Sequence, residues 1–147
     1  MATANNETAA GEIRALIDER AKAVQNKNAE GLVAHTASDV LTFDLVKPLK
    51  NVGVAAVKKR AQEWFASYDG PMGYEFRDLK ITAGADVAFC HFLNRVTGTT
   101  NDGKQIDMWW RATAGFRKLD GGWILTHEHD SVPFDMESGR PSLDLQP

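Results

Sequence analysis

The chain changes periodicity once. Up to about residue 68 its apolar residues recur at steps of three and four, and from residue 74 they alternate, which predicts helices first and a sheet afterwards. Ile13, Leu16, Ile17, Ala21 and Val24 form one apolar stripe on an otherwise charged helix over 11–27. Arg20 lies along that stripe, four residues before Val24, where an apolar side chain would cost less. A short helix is expected over 30–36, and a brief strand over 39–44 carries Val40, Leu41 and Phe43. Pro48 and Asn51 interrupt regular structure, and a third helix starts near Gly53. Its stripe is Val54, Val57, Ala61, Trp64, Phe65 and Tyr68, a large aromatic face.

Strands are expected over 74–82, 87–97, 105–118 and 123–132. The turns between them are Ala83-Gly84-Ala85, Asn101-Asp102-Gly103 and Asp120-Gly121-Gly122, whose residue types hairpins favour. Consecutive hairpins make an antiparallel meander, and helices segregated to one face of it define an α+β domain. On 105–118 the even positions Ile106, Met108, Trp110, Ala112, Ala114 and Phe116 face the helices. A three-residue turn at 120–122 would carry that parity to Ile124, Thr126, Glu128, Asp130 and Val132, and a two-residue turn would reverse it. With the longer turn, Glu128 and Asp130 enter the same concavity as Trp110 and the small Ala112 and Ala114. Buried carboxylates are costly unless paired or functional, and small residues beneath aromatics leave space. Space with a few convergent polar groups is the form of a ligand pocket.

Length and charge narrow the reading. The 147 residues suffice for one domain, expected over 11–135 between a flexible tail at 1–10 and a C-terminal tail at 136–147. A net charge of −3 with interspersed cations lacks the basic stripe that nucleic acid requires. Cys90 stands alone, which excludes an intramolecular disulfide and a cysteine-rich zinc site and fits a reducing compartment. The N-terminus lacks a signal-peptide pattern, and no apolar stretch approaches the roughly 20 residues of a membrane span, so the expected setting is cytoplasmic without a membrane partner.

Several side chains admit two readings. Trp64, Tyr68, Phe92 and Trp110 either pack the core or line the pocket. Asn94, inward beside Phe92, orients a ligand carbonyl or is a satisfied core amide. Cys90 reads as an inert buried thiol. His127 and His129 point the same way on a strand and would share an ion, but no third ligand is evident and no metal is expected. With Arg111, Thr113 and Ser131 they read instead as a polar layer on the outer sheet face. That face, with Trp109, needs cover, which predicts a homodimer.

The stretch EGLVAHTASDVLTFD, followed by Gly53 and VAAVKKRAQEWF, resembles ketosteroid isomerase and the SnoaL-like polyketide cyclases of the NTF2-like superfamily. The end, MWWRATAGFRKLDGGWILTHEHDSVPFD, is similar to a bacterial SnoaL-like subfamily and to the association domain of calcium/calmodulin-dependent protein kinase II. The resemblance implies an NTF2-like cone: a curved antiparallel sheet on N-terminal helices, enclosing a pocket for a small hydrophobic or amphipathic molecule. It implies a cofactor-independent isomerase-like or cyclase-like enzyme, with Asp44 as base, desolvated by Phe92 and Trp110, and Glu128 as an acid/base carboxylate. In the isomerase a tyrosine and a neutral aspartic acid stabilise the enolate. Arg20 and Ala112 or Ala114 stand at those two places here, so the family's pair is absent from them. The kinase-domain likeness implies the alternative, a non-catalytic binding or oligomerisation module. Arg20 separates the two: paired with Glu128 or Asp130 it fills the cone, and facing Asp44 it assists catalysis by stabilising an oxyanion.

Overall fold

Apolar stripes and turn residues place nine elements along the chain. The computed structural model describes residues 2–147, with side chains from residue 6 onward. In order they are α1 (Ala2–Gln25), α2 (Ala29–Leu32), β1 (Thr36–Phe43), β2 (Asn51–Val52), α3 (Val54–Ala66), β3 (Tyr68–Ala83), β4 (Val87–Thr100), β5 (Gln105–Leu119) and β6 (Gly122–Ser131). Helix α1 starts nine residues before the expected Gly11. That glycine faces open space on an exposed turn, where it weakens a helix by about 1 kcal/mol without ending it. Ile13, Ile17, Ala21 and Val24 of the predicted stripe are buried, Leu16 is half-buried, and the buried Ala9 extends the stripe.

The sheet order is β2-β1-β6-β5-β4-β3. Strands β3 to β6 form the expected antiparallel meander, while β1 lies parallel to β6 with Thr42 opposite Glu128 and Phe43 opposite His129. Strand β3 begins at Tyr68 rather than at residue 74. Pro71 is tolerated because β3 is an edge strand, where its missing N–H leaves no ladder bond broken. Register shifts after Asp69 and Arg77, with Gly70 and Asp78 at φ 75° and 59°, are the bulges that bend this edge around the helices.

The β5–β6 hairpin departs from expectation in an informative way. Leu119 pairs with Gly122, so the turn is the two residues Asp120 and Gly121, at φ 51° and 80°, the left-handed pair of a type I′ turn. Parity therefore reverses: Trp123 and Leu125, not Ile124, are buried on the inner face. Thr126 then stands as one extra residue between the pairs Phe116–Leu125 and Gly115–His127, with its hydroxyl donating to the Gly115 carbonyl at 3.3 Å. This bulge reverses parity again. Glu128 and Asp130 point inward as expected, through two compensating shifts rather than none.

Two clusters fill the space between helices and sheet. Ile13, Ile17, Cys90, Phe92, Phe116 and Leu125 close one end under α1. Val24, Ala61, Phe65, Tyr68, Val96 and Trp110 form the other, where α1 ends and α3 begins to cover the sheet.

Candidate functional site

The second cluster does not close. It leaves a cavity of about 410 Å³ between α3, the end of α1 and the inner faces of β3 to β6. One wall is aromatic. Trp64 stands edge-on to Tyr74 and Trp110 at centroid separations of 6.4 and 6.3 Å, and Tyr74 lies 6.0 Å from Trp110. The opposite wall is polar, formed by Arg20, Asp44, Arg60, Glu128 and Asp130, with Asn94 between the two. Pro141 and Leu143, brought back by the bridge between Phe134 and Pro141, complete the lining.

Charges in this wall are matched in pairs. Arg20 Nη2 donates to Glu128 Oε2 and Oε1 at 3.2 and 3.3 Å, while Nη1 donates to the Leu32 carbonyl at 3.0 Å. Asp44 Oδ2 faces Arg60 Nε at 3.3 Å, an ion pair outside hydrogen-bond alignment, and Oδ1 accepts from the Leu45 amide at 2.5 Å. Asp130 has no cation of its own. Burial first, then the negative charges of Glu128 and Asp44, hold its carboxyl well above the usual carboxylate range, against smaller opposing effects of Arg20 and the Trp110 indole. Some of the residue remains at the surface, but Oδ1 is sealed from solvent and without a hydrogen-bond partner. The Tyr74 phenol is likewise pushed well above its ordinary value, by burial and then by Glu128 and Asp130, with Arg20 and Asn94 pulling it back.

Most of the expected residues converge here. Arg20, Asp44, Trp64, Tyr68, Asn94, Trp110, Glu128 and Asp130 all line the cavity. Phe92 does not: it packs 6.1 Å from Phe76 in the closed cluster, so it cannot desolvate Asp44, which instead meets Arg60. Arg20 pairs with Glu128, as one branch of the expectation held, yet the cone stays open around them. Asn94 is a half-satisfied amide: it hydrogen-bonds Tyr74, while its Oδ1 is buried without a partner. Arg60 and Tyr74 are among the lining residues that escaped the sequence reading. Arg60 lies on the α3 stripe with Val57, Ala61 and Trp64, the same signal that marked Arg20. Tyr74 carries no such mark, because the bulges of β3 break its alternation.

The outer face holds the polar layer. His127 Nδ1 lies 2.7 Å from the Leu41 carbonyl, Phe43 stands edge-on to His127 and His129 at 5.2 and 5.3 Å, and Arg111 Nε donates to Ser131 Oγ at 3.2 Å. Among the described residues no three His, Cys, Asp or Glu side chains gather to hold a metal ion. Cys90 is fully buried, and burial, then Glu128, pushes its thiol up to about 12, which keeps it unreactive. Among the described residues no helix is long and apolar enough to cross a membrane.

Comparison with known proteins agrees with this geometry. A family model described as a SnoaL-like domain matches residues 13–135. An NTF2-like protein of unknown function from Pseudomonas putida KT2440 is 36% identical, with a TM-score of 0.86 over 97% of this chain and 99% of that one. Two further structures share the fold at lower identity. A ketosteroid isomerase-like protein from Erwinia carotovora atroseptica SCRI1043 is 20% identical, with a TM-score of 0.71 over 82% of this chain and 93% of that one. A candidate calcium/calmodulin-dependent protein kinase II association domain from Xanthomonas campestris is also 20% identical, with a TM-score of 0.70 over 82% and 84% of the two chains. Among curated proteins, none matches.

Proposed function

The chain belongs to the SnoaL-like family, and from that premise we propose that its cone binds a neutral, largely apolar carbonyl compound and moves a proton on it. Asp44 is the base that removes a proton beside the carbonyl, and Asp130 and Tyr74 are the donors that hold the carbonyl oxygen as charge develops there. The observation that carries this reading is the contrast between two neighbouring carboxyls. Asp44 follows the end of β1 with a counter-charge and a backbone N–H, whereas Asp130, on the parallel partner strand, has one sealed oxygen and is flanked by negative charge. A carboxyl whose proton is held by burial can donate a hydrogen bond, which leaves the base role to its neighbour. Tyr74 and Asp130 thus supply, from β3 and β6, the kind of donor pair that Arg20 and Ala112 or Ala114 do not.

Exchange of the α-hydrogens of 1-tetralone in heavy water, followed by proton NMR, tests the chemistry without knowledge of the product. Wild-type protein should accelerate exchange, and Asp44→Asn should lower the rate by about 10²–10⁴-fold, the usual worth of a positioned base, with thermal stability nearly unchanged. Exchange that survives Asp44→Asn would refute the role of Asp44. Binding without any exchange would favour the second reading, a ligand-binding module without turnover, which the Arg20–Glu128 pair supports.

The working protein is proposed to be a cytoplasmic homodimer, with the outer face around Trp109, Arg111 and His129 against a second copy. Light scattering at micromolar concentration should return twice the 16.2 kDa chain mass; a clean monomer would remove the interface.

A further inference from the structure

Pro141 and Leu143 line the cavity from a segment that follows the last strand and lies beyond residue 135, where the SnoaL-like match ends. Pairing of β6 stops at Ser131, and Pro133, which has no N–H, cannot extend the ladder. The chain then turns back at Gly139, whose φ of 73° suits a residue without a Cβ, and forms a small hairpin of its own. The Asp135 amide donates to the Arg140 carbonyl and the Ser142 amide to the Pro133 carbonyl, both at 2.7 Å, and a bridge pairs Phe134 with Pro141.

Little ties that hairpin to the domain. Among the described residues, every hydrogen bond made by 133–147 stays within the segment, and no ion pair leaves it. Of residues 134–147 none is buried and only Ser142 is half-buried; Leu143 is 45% exposed although it borders the cavity. A segment with its hydrogen bonds spent on itself and its apolar side chains largely in water opens at small cost, and a lone two-stranded hairpin is itself marginal in water. A ligand shifts such an equilibrium only through contacts made in one state and not in the other. Pro141 and Leu143 supply those contacts, because an apolar body in the cavity would cover them from within only while the hairpin is seated.

We propose that residues 133–143 are a lid on the cone, which lifts to admit an apolar ligand and settles on it, with Leu143 as the lid residue that touches the ligand. The lid rests on the ligand-binding half of the function proposed above and is independent of the proton transfer. Empty, the hairpin opens readily; occupied, it is held by its burial against the ligand, and its opening sets the rate of release.

Hydrogen exchange of the full chain, read by mass spectrometry with and without saturating N-phenyl-1-naphthylamine, tests the lid; this neutral apolar fluorophore also reports its own binding by emission. Without the probe, the peptides carrying the amides of Asp135, Gly139 and Ser142 should exchange at least about ten-fold faster than those of β5. With it they should slow by at least about ten-fold, while Gly84, in the turn at the closed end, stays within about two-fold. Leu143→Ala should speed probe release about ten-fold in stopped flow and remove most of that slowing. Leu145→Ala, the same change outside the lining, should leave release within about two-fold. If Leu143→Ala does not fold, the exchange of the unaltered chain carries the test. A probe that binds without slowing 133–143, or a hairpin as protected as β5 in the empty protein, overturns the lid and leaves the cone a binding site. A probe that does not bind overturns the cone reading and the lid with it. Failure of α-hydrogen exchange in 1-tetralone, with the lid response intact, would instead overturn only the catalytic reading.

Discussion

The same three strands build both ends of the cone, and the two ends are opposites. Toward one end the inward positions of β4, β5 and β6 are Cys90, Phe116 and Leu125, packed dry beneath Ile13 and Ile17. Toward the other they are Asn94, Trp110, Glu128 and Asp130, facing a cavity beneath Val24 and Trp64. Alternation runs unbroken through both ends on β4 and β5, while on β6 the Thr126 bulge lies between them; the inward side chains differ. Unpartnered buried atoms gather at the open end, where Asn94, Trp110 and Asp130 lie on adjacent strands. Trp123 Nε1 is an exception at the closed end, where the ring lies 5.8 Å from the Lys118 ammonium. A single sheet thus differs along its strands: one end is packed dry, and the other turns polar groups toward a cavity.

The largest effect is expected where the packing is densest. Phe116 is 2% exposed in the closed cluster, and Phe116→Ala should cost about 3–5 kcal/mol by chemical denaturation, through lost burial and the cavity left behind. Met108→Ala, where the side chain borders empty volume, should cost less than half as much. Equal costs would break the distinction between the ends.

A smaller effect of opposite sign is expected from Asp130. Its folded carboxyl is raised above the unfolded value, so its contribution to stability is fully present below the ordinary carboxylate pKa and is lost as pH climbs toward the raised one. Asn imitates the protonated form and does not titrate. Asp130→Asn should therefore melt with wild type near pH ~4 and above it at pH ~7, the gap widening as pH rises between them. A variant that melts lower at neutral pH would mean that the carboxylate is the stable form there.

Helix stripes and turn residues made the order of elements legible, because both signals are local. The pairing of β1 with β6 was not, since it joins residues near 40 to residues near 128 and leaves no local trace. That pairing brings Asp44 beside Asp130, which is why both acids could be singled out from the chain while their opposition could not. The Thr126 bulge was equally silent: one extra residue in an alternating run looks the same as a longer turn. Arg60 was legible by the reasoning applied to Arg20, a charge on an apolar stripe, and Tyr74 was not, because two bulges blur the parity of β3. Local pattern fixes which residues are inside; long-range register decides which of them meet.

The central claim is that Asp130 holds its proton above the ordinary carboxylate range and so can serve as a donor at the open end. The most direct measurement is a carbon-13 NMR titration of the aspartate side-chain carboxyls, with the Asp130 resonance assigned by its loss in Asp130→Asn. The account predicts a midpoint well above the ordinary carboxylate range. A midpoint at or below about 4 would contradict it, and with it the assignment of Asp130 as the donor opposite Asp44.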